Sequence, residues 1–241
     1  MLPESVAARL KQADGNIAEA HPAVTVLFAD IVGFTPLTER LSASNVVALL
    51  DRVFARWDAL AAEHGVEKIK TIGDGYMVAG GIPTRRADHT EAIAEMALAM
   101  GPDVAHLAAQ TGHALELRIG IDTGPVVAGV IGRAKFSYDL WGDTVNTASR
   151  MQSHAPPGAI QVTARTFDRL RHSYELRTRG TMEVKGKGLM RPYPPRAPLR
   201  PRAPDRARPS RARARSHTAA PVDKSSRPAT SEPEGRDPGI R

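Results

Sequence analysis

The sequence predicts an α+β fold, a sandwich with a mostly antiparallel sheet and flanking helices, ferredoxin-like at its heart. Three observations predict it. Apolar runs of strand length, such as Val24–Ala29 and Tyr76–Ala79, alternate with longer stretches whose apolar residues recur at helical spacing. Glycine-containing turns join neighbouring strand candidates, which favours antiparallel pairing. The order is strand, helix, strand-hairpin, helix, strand-hairpin, helix, strand, helix and final strands, as a split βαβ arrangement requires.

Each element has its own signal. Leu2, Val6 and Leu10 fall at helical spacing, and Pro3 and Glu4 suit a first turn, so residues 2–20 read as a short helix and a polar connection. The first strand is expected over about 23–30. Ser42-Ala43-Ser44 caps a helix to about Glu63, with Val46, Val53, Trp57 and Leu60 in one apolar stripe and His64-Gly65 as its stop. Strands at about 66–71 and 75–80 flank the turn that holds Asp74. An Ala-, Met- and Leu-rich helix over about 87–110 reads as core packing. Leu115–Ile121 and Val126–Ile131 read as two strands joined by a turn at Asp122–Pro125, and Phe136–Leu140 as a short extended piece. A helix from Gly142-Asp143 to about His154 has Asp143 as its best cap candidate. Pro156–Gly158 breaks the chain, Ala159–Val162 extends it, Thr163 caps a helix to Leu170, and residues 173–184 make two last short strands.

Composition limits the class of protein. The chain has 241 residues and no cysteine, which excludes a disulfide framework and thiol chemistry. No apolar run reaches the roughly 18 residues of a membrane span. The N-terminus lacks the charged start and apolar core of a signal peptide, so the default location is cytoplasmic. The net charge of +7 is unevenly placed: residues 1–190 hold 20 Lys+Arg and 21 Asp+Glu, whereas residues 191–241 hold 13 and 5. The basic character therefore belongs to the tail and implies no specific nucleic-acid partner for the folded part. The tail also holds 11 of the 19 prolines, too little apolar surface to offset ordering entropy, and reads as a disordered appendage. The expected organisation is an N-terminal helix and linker over 1–22, one folded domain over 23–190, and an Arg/Pro-rich tail over 191–241.

The chemistry centres on Phe28–Thr35. Its strand delivers one carboxylate, Asp30, into a glycine-containing turn, and an ionised carboxylate in an apolar run needs a cation or several hydrogen bonds. Backbone N–H groups around Ile31, Gly33, Phe34 and Thr35 suit phosphate oxygens. Asp74, between Gly73 and Gly75, repeats the pattern. Two such carboxylates suit hard divalent cations and point to a Mg²⁺-nucleotide site. Arg85-Arg86 and the eight histidines read as solvated surface or helix-end groups with no role.

Several long segments extend this reading: FADIVGFT at 28–35, EKIKTIGDGYMVAGG at 67–81, RIGIDTGPVVAGVIG at 118–132, FSYDLWGDTVNTASRMQSHAPPGAIQVT at 136–163 and VKGKG at 184–188. Together they resemble the catalytic domain of the class III adenylate and guanylate cyclases over about residues 2–190. The resemblance implies the class III nucleotidyl cyclase fold, with Asp30 and Asp74 binding two Mg²⁺ or Mn²⁺ ions assisted by the Ile31 carbonyl. It implies Lys70 and Asp139 as purine readers, Asn146 and Arg150 as transition-state residues, and Lys185 at the terminal phosphates. Lysine donates to N1 of adenine and aspartate accepts from its 6-amino group, so the pair favours ATP; guanylate cyclases usually carry Glu and Cys there. The implied reaction is ATP to 3′,5′-cyclic AMP and pyrophosphate, at a head-to-tail homodimer interface. One subunit would supply Asp30 and Asp74, the other Lys70, Asp139, Asn146, Arg150 and Lys185.

Two departures from the family pattern stand out. Pro192-Tyr193-Pro194-Pro195 replaces the usual last strand, which predicts a shortened one. An upstream sensor or membrane region, common in bacterial members, is not part of this chain. The alternative reading is a catalytically silent cyclase-like module that dimerises or binds nucleotide.

Overall fold

The computed structural model describes residues 3, 6–8, 18–132, 136–174, 180–184, 188–190 and 192–193. Lys185, most of the expected tail, and Leu2 and Leu10 of the expected first helix lie outside them. Of that helix, Val6–Ala8 are helical, and Val6 is buried against the sheet.

Five strands form the sheet in the order β2-β3-β1-β4-β5, with β6 pairing parallel to β4 and every other pair antiparallel. In chain order these are β1 (Ala18–Val32), β2 (Glu67–Ile72), β3 (Gly75–Gly80), β4 (Glu116–Ile131), β5 (Ser137–Trp141) and β6 (Ile160–Val162). The helices are α1 (Phe34–Thr38), α2 (Ala43–His64), α3 (His89–Thr111), α4 (Asp143–Ser153) and α5 (Ala164–Leu170). A separate two-stranded ladder joins β7 (Met182–Val184) to β8 (Gly188–Met190).

The period-2 alternation of β1 splits the core in two. Leu27, Ala29 and Ile31 join one cluster with Trp57 and Leu60 of α2 and Ile93, Met96 and Met100 of α3. Val24, Val26 and Phe28 join the other, with Met77, Ala79, Val126, Val130, Leu140 and Ala148. A strand buried on both faces is the arrangement its unbroken apolar run predicts. The Met/Ala stretch of α3 is core, as expected. Helix ends follow their caps: Ser42 Oγ accepts from the Asn45 N–H, Thr163 Oγ1 accepts from the Thr166 N–H, and Gly65 ends α2 in the left-handed region at φ 62°.

Four expectations are corrected. β1 begins at Ala18 rather than at 23, because residues 18–21 find partners in the far half of β4. No turn interrupts Asp122–Pro125; β4 runs unbroken from Glu116 to Ile131, since β1 offers one long partner with a single bulge between His21 and Val24. Asp122 is fully buried there, accepting from the Thr123 N–H, Thr163 Oγ1 and Arg165 Nη2. Gly142, not Asp143, occupies the N-cap of α4, with φ 136° and no side-chain cap bond. Of the final strands, Met182–Val184 falls within the expected 173–184 and Gly188–Met190 lies beyond it, while residues 175–179 lie outside the described ones.

The last strand was expected to be shortened or lost; of it, the described residues show one bridge, and residues 191 and 194–195 lie outside them. The Tyr193 N–H donates to Val162 O at 3.0 Å, and the Tyr193 ring stacks on Phe167 with centroids 4.2 Å apart. Among the described residues, no helix is long and apolar enough to cross a membrane.

Candidate active site

Asp30 sits near the C-terminal end of β1, directly opposite Arg118 in β4. Arg118 Nη2 donates to Asp30 Oδ2 at 2.5 Å, an ion pair with both side chains half-buried. Sequence reading did not assign Arg118; its signal was a lone cation in the strand beside the one carrying a lone carboxylate.

Asp74 lies at the tip of the β2–β3 hairpin, in the two-residue turn closed by the Ile72–Gly75 pair. Gly73, at φ 62°, supplies the left-handed backbone the turn needs. The hairpin is anchored two residues later. Tyr76 is buried edge-on against Trp57, with ring centroids 5.4 Å apart, and its hydroxyl donates to Asp58 Oδ1 at 2.6 Å. β3 in turn pairs Tyr76 with Ala29, which brings the turn beside the end of β1.

The two carboxylates feel each other. Burial first, and then the neighbouring Asp30 carboxylate, push the Asp74 carboxyl above its ordinary range, although Arg118 opposes this. The site is short of positive charge. Among the described residues no cluster of three or more acidic or histidine side chains could hold an ion by itself. Two carboxylates beside backbone oxygens, completed by water and substrate phosphates, is the donor set that Mg²⁺ ordinarily accepts. The residues present therefore fit a divalent cation held by Asp30 and Asp74. Ile31 is buried next to them and pairs with Leu117. Gly33, at φ 84°, begins α1 and leaves no room for a side chain, since a β-carbon there would lie 2.8 Å from Ala114 O. Phe34 and Thr35 form the first residues of that helix.

A second group assembles elsewhere on the sheet. Lys70 of β2 and Asp139 of β5 belong to the two outermost strands, yet Lys70 Nζ donates to Asp139 Oδ2 at 2.5 Å. The far half of β4 carries β5 over the second core cluster, where Val126, Ala128, Val130, Tyr138 and Leu140 pack on Val26, Met77 and Ala79. Asp139 Oδ1 also accepts from the Leu140 N–H, so the carboxylate is oriented from both sides.

Asn146 and Arg150 lie one turn apart on α4, Asn146 exposed and Arg150 half-buried. Among the described residues, Arg150's guanidinium has no carboxylate partner. The helix is seated directly on β4: a β-carbon at Gly120 would overlap Gln152 N and Ala148 O. No hydrogen bond or ion pair among the described residues joins the Asp30–Asp74 group to Lys70, Asp139, Asn146 or Arg150.

Exposed apolar side chains surround these groups. Ile72 at the hairpin tip, Val127 and Ile131 of β4, Phe136 just before β5 and Trp141 at its end are all exposed.

Residues 17–194 match the family described as adenylate and guanylate cyclase catalytic domain. The chain is 48% identical over 194 residues to an adenylate cyclase of Mycobacterium tuberculosis, covering 80% of this chain and 44% of that protein. It is 40% identical over 195 residues to guanylate cyclase soluble subunit beta-2 of Rattus norvegicus, covering 80% of this chain and 29% of the relative. Among solved structures, the guanylate cyclase domain of RhGC from Catenaria anguillulae in complex with GTP superimposes with a TM-score of 0.72 at 36% identity, covering 77% of this chain and 100% of that one. The chain thus spans less than half the length of these two curated relatives.

Proposed function

Because the chain belongs to the adenylate and guanylate cyclase catalytic domain family, we propose that it converts ATP to 3′,5′-cyclic AMP and pyrophosphate, at sites completed by a second copy of itself. The observation that carries the choice of ATP is the Lys70–Asp139 pair. An ammonium beside a carboxylate offers one donor and one acceptor, the complement of adenine N1 and its 6-amino group. Guanine reverses the pattern, with an acceptor at position 6 and a donor at N1.

The dimer reading rests on two observations. Both halves of the machinery are present in one chain, yet no hydrogen bond or ion pair joins them among the described residues. The exposed Ile72, Ile131, Phe136 and Trp141 lie on the hairpins that carry Asp74 and Asp139. A head-to-tail two-fold pairing would bring Asp30 and Asp74 of one protomer to Lys70, Asp139, Asn146 and Arg150 of the other, and make two equivalent sites.

The chemistry is an in-line displacement. The ribose 3′-oxygen forms a bond to the α-phosphorus, the bond from that phosphorus to the β-phosphate bridge breaks, and pyrophosphate leaves; the hydroxyl proton passes to solvent. Two Mg²⁺ or Mn²⁺ ions bound by Asp30 and Asp74, assisted by the Ile31 carbonyl, would lower the hydroxyl pKa and neutralise the phosphates. Arg150 places positive charge against the α-phosphoryl oxygens, where charge builds up. Asn146, one turn away, orients the ribose. Backbone N–H groups at Gly33, Phe34 and Thr35 hold phosphate oxygens. Lys185 is assigned to the terminal phosphates on the VKGKG motif alone, as it lies outside the described residues. A cytoplasmic location, as expected from the sequence, agrees with ATP as the substrate.

The test is turnover of ATP and of GTP by the purified chain with Mn²⁺ over a range of protein concentrations, beside Asp74→Ala. Cyclic AMP formation whose specific activity rises with protein concentration, and which the substitution abolishes, is the expected result. A folded dimer that forms no cyclic nucleotide would overturn it and leave a silent nucleotide-binding module.

A further inference from the structure

At the opposite end of β1 from Asp30, a cavity of about 380 Å³ opens between the start of that strand, the Gly81–Asp88 loop, the N-terminus of α3 and α5. His21, Arg85, Arg86, His89 and Arg169 all line it. Nine residues of extended chain, roughly 30 Å, separate His21 from Asp30.

The cations there are not equivalent. Arg86 is committed: Nη1 donates to the carbonyls of His64 and Gly65 at the end of α2, and its Nε and Nη2 pair with Asp88. Arg85 and Arg169 have no hydrogen bond or carboxylate partner among the described residues. His89 is also committed, with Nδ1 2.7 Å from Thr25 Oγ1. His21 is different. It is 7% exposed, and neither ring nitrogen has a hydrogen-bond partner among the described residues. The Glu19 carboxylate lies 3.8 Å from Nε2, too far for a hydrogen bond. A buried imidazole left unsatisfied is costly, but both its nitrogens are sealed from solvent, so His21 shapes the wall of the cavity and offers it no donor.

The 23-residue α3 begins at this cavity with Asp88 at its N-cap, and the Asp88 side chain makes no cap bond because Arg86 holds it. Asp88 and Glu91 already place negative charge at the start of this helix, so the two unpaired guanidiniums are what favours a group with several planar or tetrahedral oxygens.

We propose that this cavity binds a small molecule through a phosphoryl group held by Arg85 and Arg169. The volume exceeds that of bare phosphate and leaves space for an organic remainder. This site is distinct from the candidate active site and shares no residue with it.

Inorganic phosphate is the probe. Calorimetric titration of the full chain, free of divalent metal and at constant ionic strength against a chloride control, is expected to show saturable binding with one phosphate per chain. Arg85→Gln with Arg169→Gln is expected to weaken it at least tenfold, whereas Arg85→Lys with Arg169→Lys retains most of it. Both arginines are exposed, so unchanged melting by circular dichroism is expected for each variant. No saturable binding above chloride, equal binding by the double glutamine variant, or loss on Arg150→Ala instead would each overturn the proposal, the last by moving phosphate to the nucleotide site. Because turnover is not the readout, the result stands whether or not the chain makes cyclic AMP.

Discussion

Lys70 and Asp139 lie on opposite edge strands of the sheet and are joined by a 2.5 Å ion pair. A flat sheet would hold them four strands apart. They meet because β4 is long enough to pair with β1 along its length and still carry β5 back over the second core cluster. If this pair reads the base, Lys70→Ala or Asp139→Ala should each lower kcat/KM for ATP by about 10- to 100-fold, the cost of one unmet polar partner in a closed site. Lys70→Glu combined with Asp139→Cys should raise GTP turnover relative to ATP. An unchanged ratio would remove the pair from base selection.

Sharing of sites between protomers makes a quantitative prediction. Asp74→Ala and Arg150→Ala should each be inactive alone. Mixed in equal amounts and allowed to re-equilibrate, half the dimers carry one intact site of two, so about one quarter of wild-type activity should return. A mixture no more active than its components would show that each chain works by itself.

The seating of α4 depends on Gly120. Any side chain there meets the backbone of Gln152 and Ala148, which cannot yield as a flexible side chain would. Gly120→Ala should therefore destabilise the fold by about 2–3 kcal/mol and lower activity further by displacing Asn146 and Arg150. Urea unfolding, read together with turnover of the folded fraction, separates the two effects.

Acid stability should turn on His89. Burial holds it below its ordinary value of 6.5; next, Arg169 opposes its protonation and Glu91 and Asp88 favour it, with Arg86 opposing. The unfolded chain thus accepts a proton that the folded chain resists, so this contribution to stability is complete above about pH 6.5 and is lost as pH falls below it. Urea midpoints should drop between about pH 7.5 and 5.5, and His89→Gln should flatten that slope while costing stability at the higher pH.

Much of this was legible in the sequence, and for identifiable reasons. The two-sided apolar run of β1, the Gly73-Asp74 turn and the caps at Ser42, Gly65 and Thr163 are local signals, and each stands where its chemistry requires. Asp122–Pro125 misled because a turn composition, Asp-Thr-Gly-Pro, sits inside a strand. Only the tertiary partners of Asp122, namely Thr163 and Arg165 some forty residues later, show why the carboxylate is there. His21 and His89 were read as solvated surface or helix-end groups; His89 does begin α3, but both are buried, and burial of a single polar residue leaves no periodicity. Among the site groups, the closeness of Asp30 to Asp74 was expected, but Arg118 was not, because a cross-strand partner is set by register and not by spacing along the chain.

Tyr193 is where the described sheet ends, tied by one backbone bond to Val162 and by its ring to Phe167. Residues 194–241 hold 12 Lys+Arg against 5 Asp+Glu, so the whole net charge of +7 lies beyond that tyrosine. A single cleavage after Tyr193 would convert a strongly basic polypeptide into an electrically neutral one while leaving every described contact of the sheet in place. On a cation exchanger the two forms would part cleanly, and any attraction of the intact chain to polyanions would depart with the fragment.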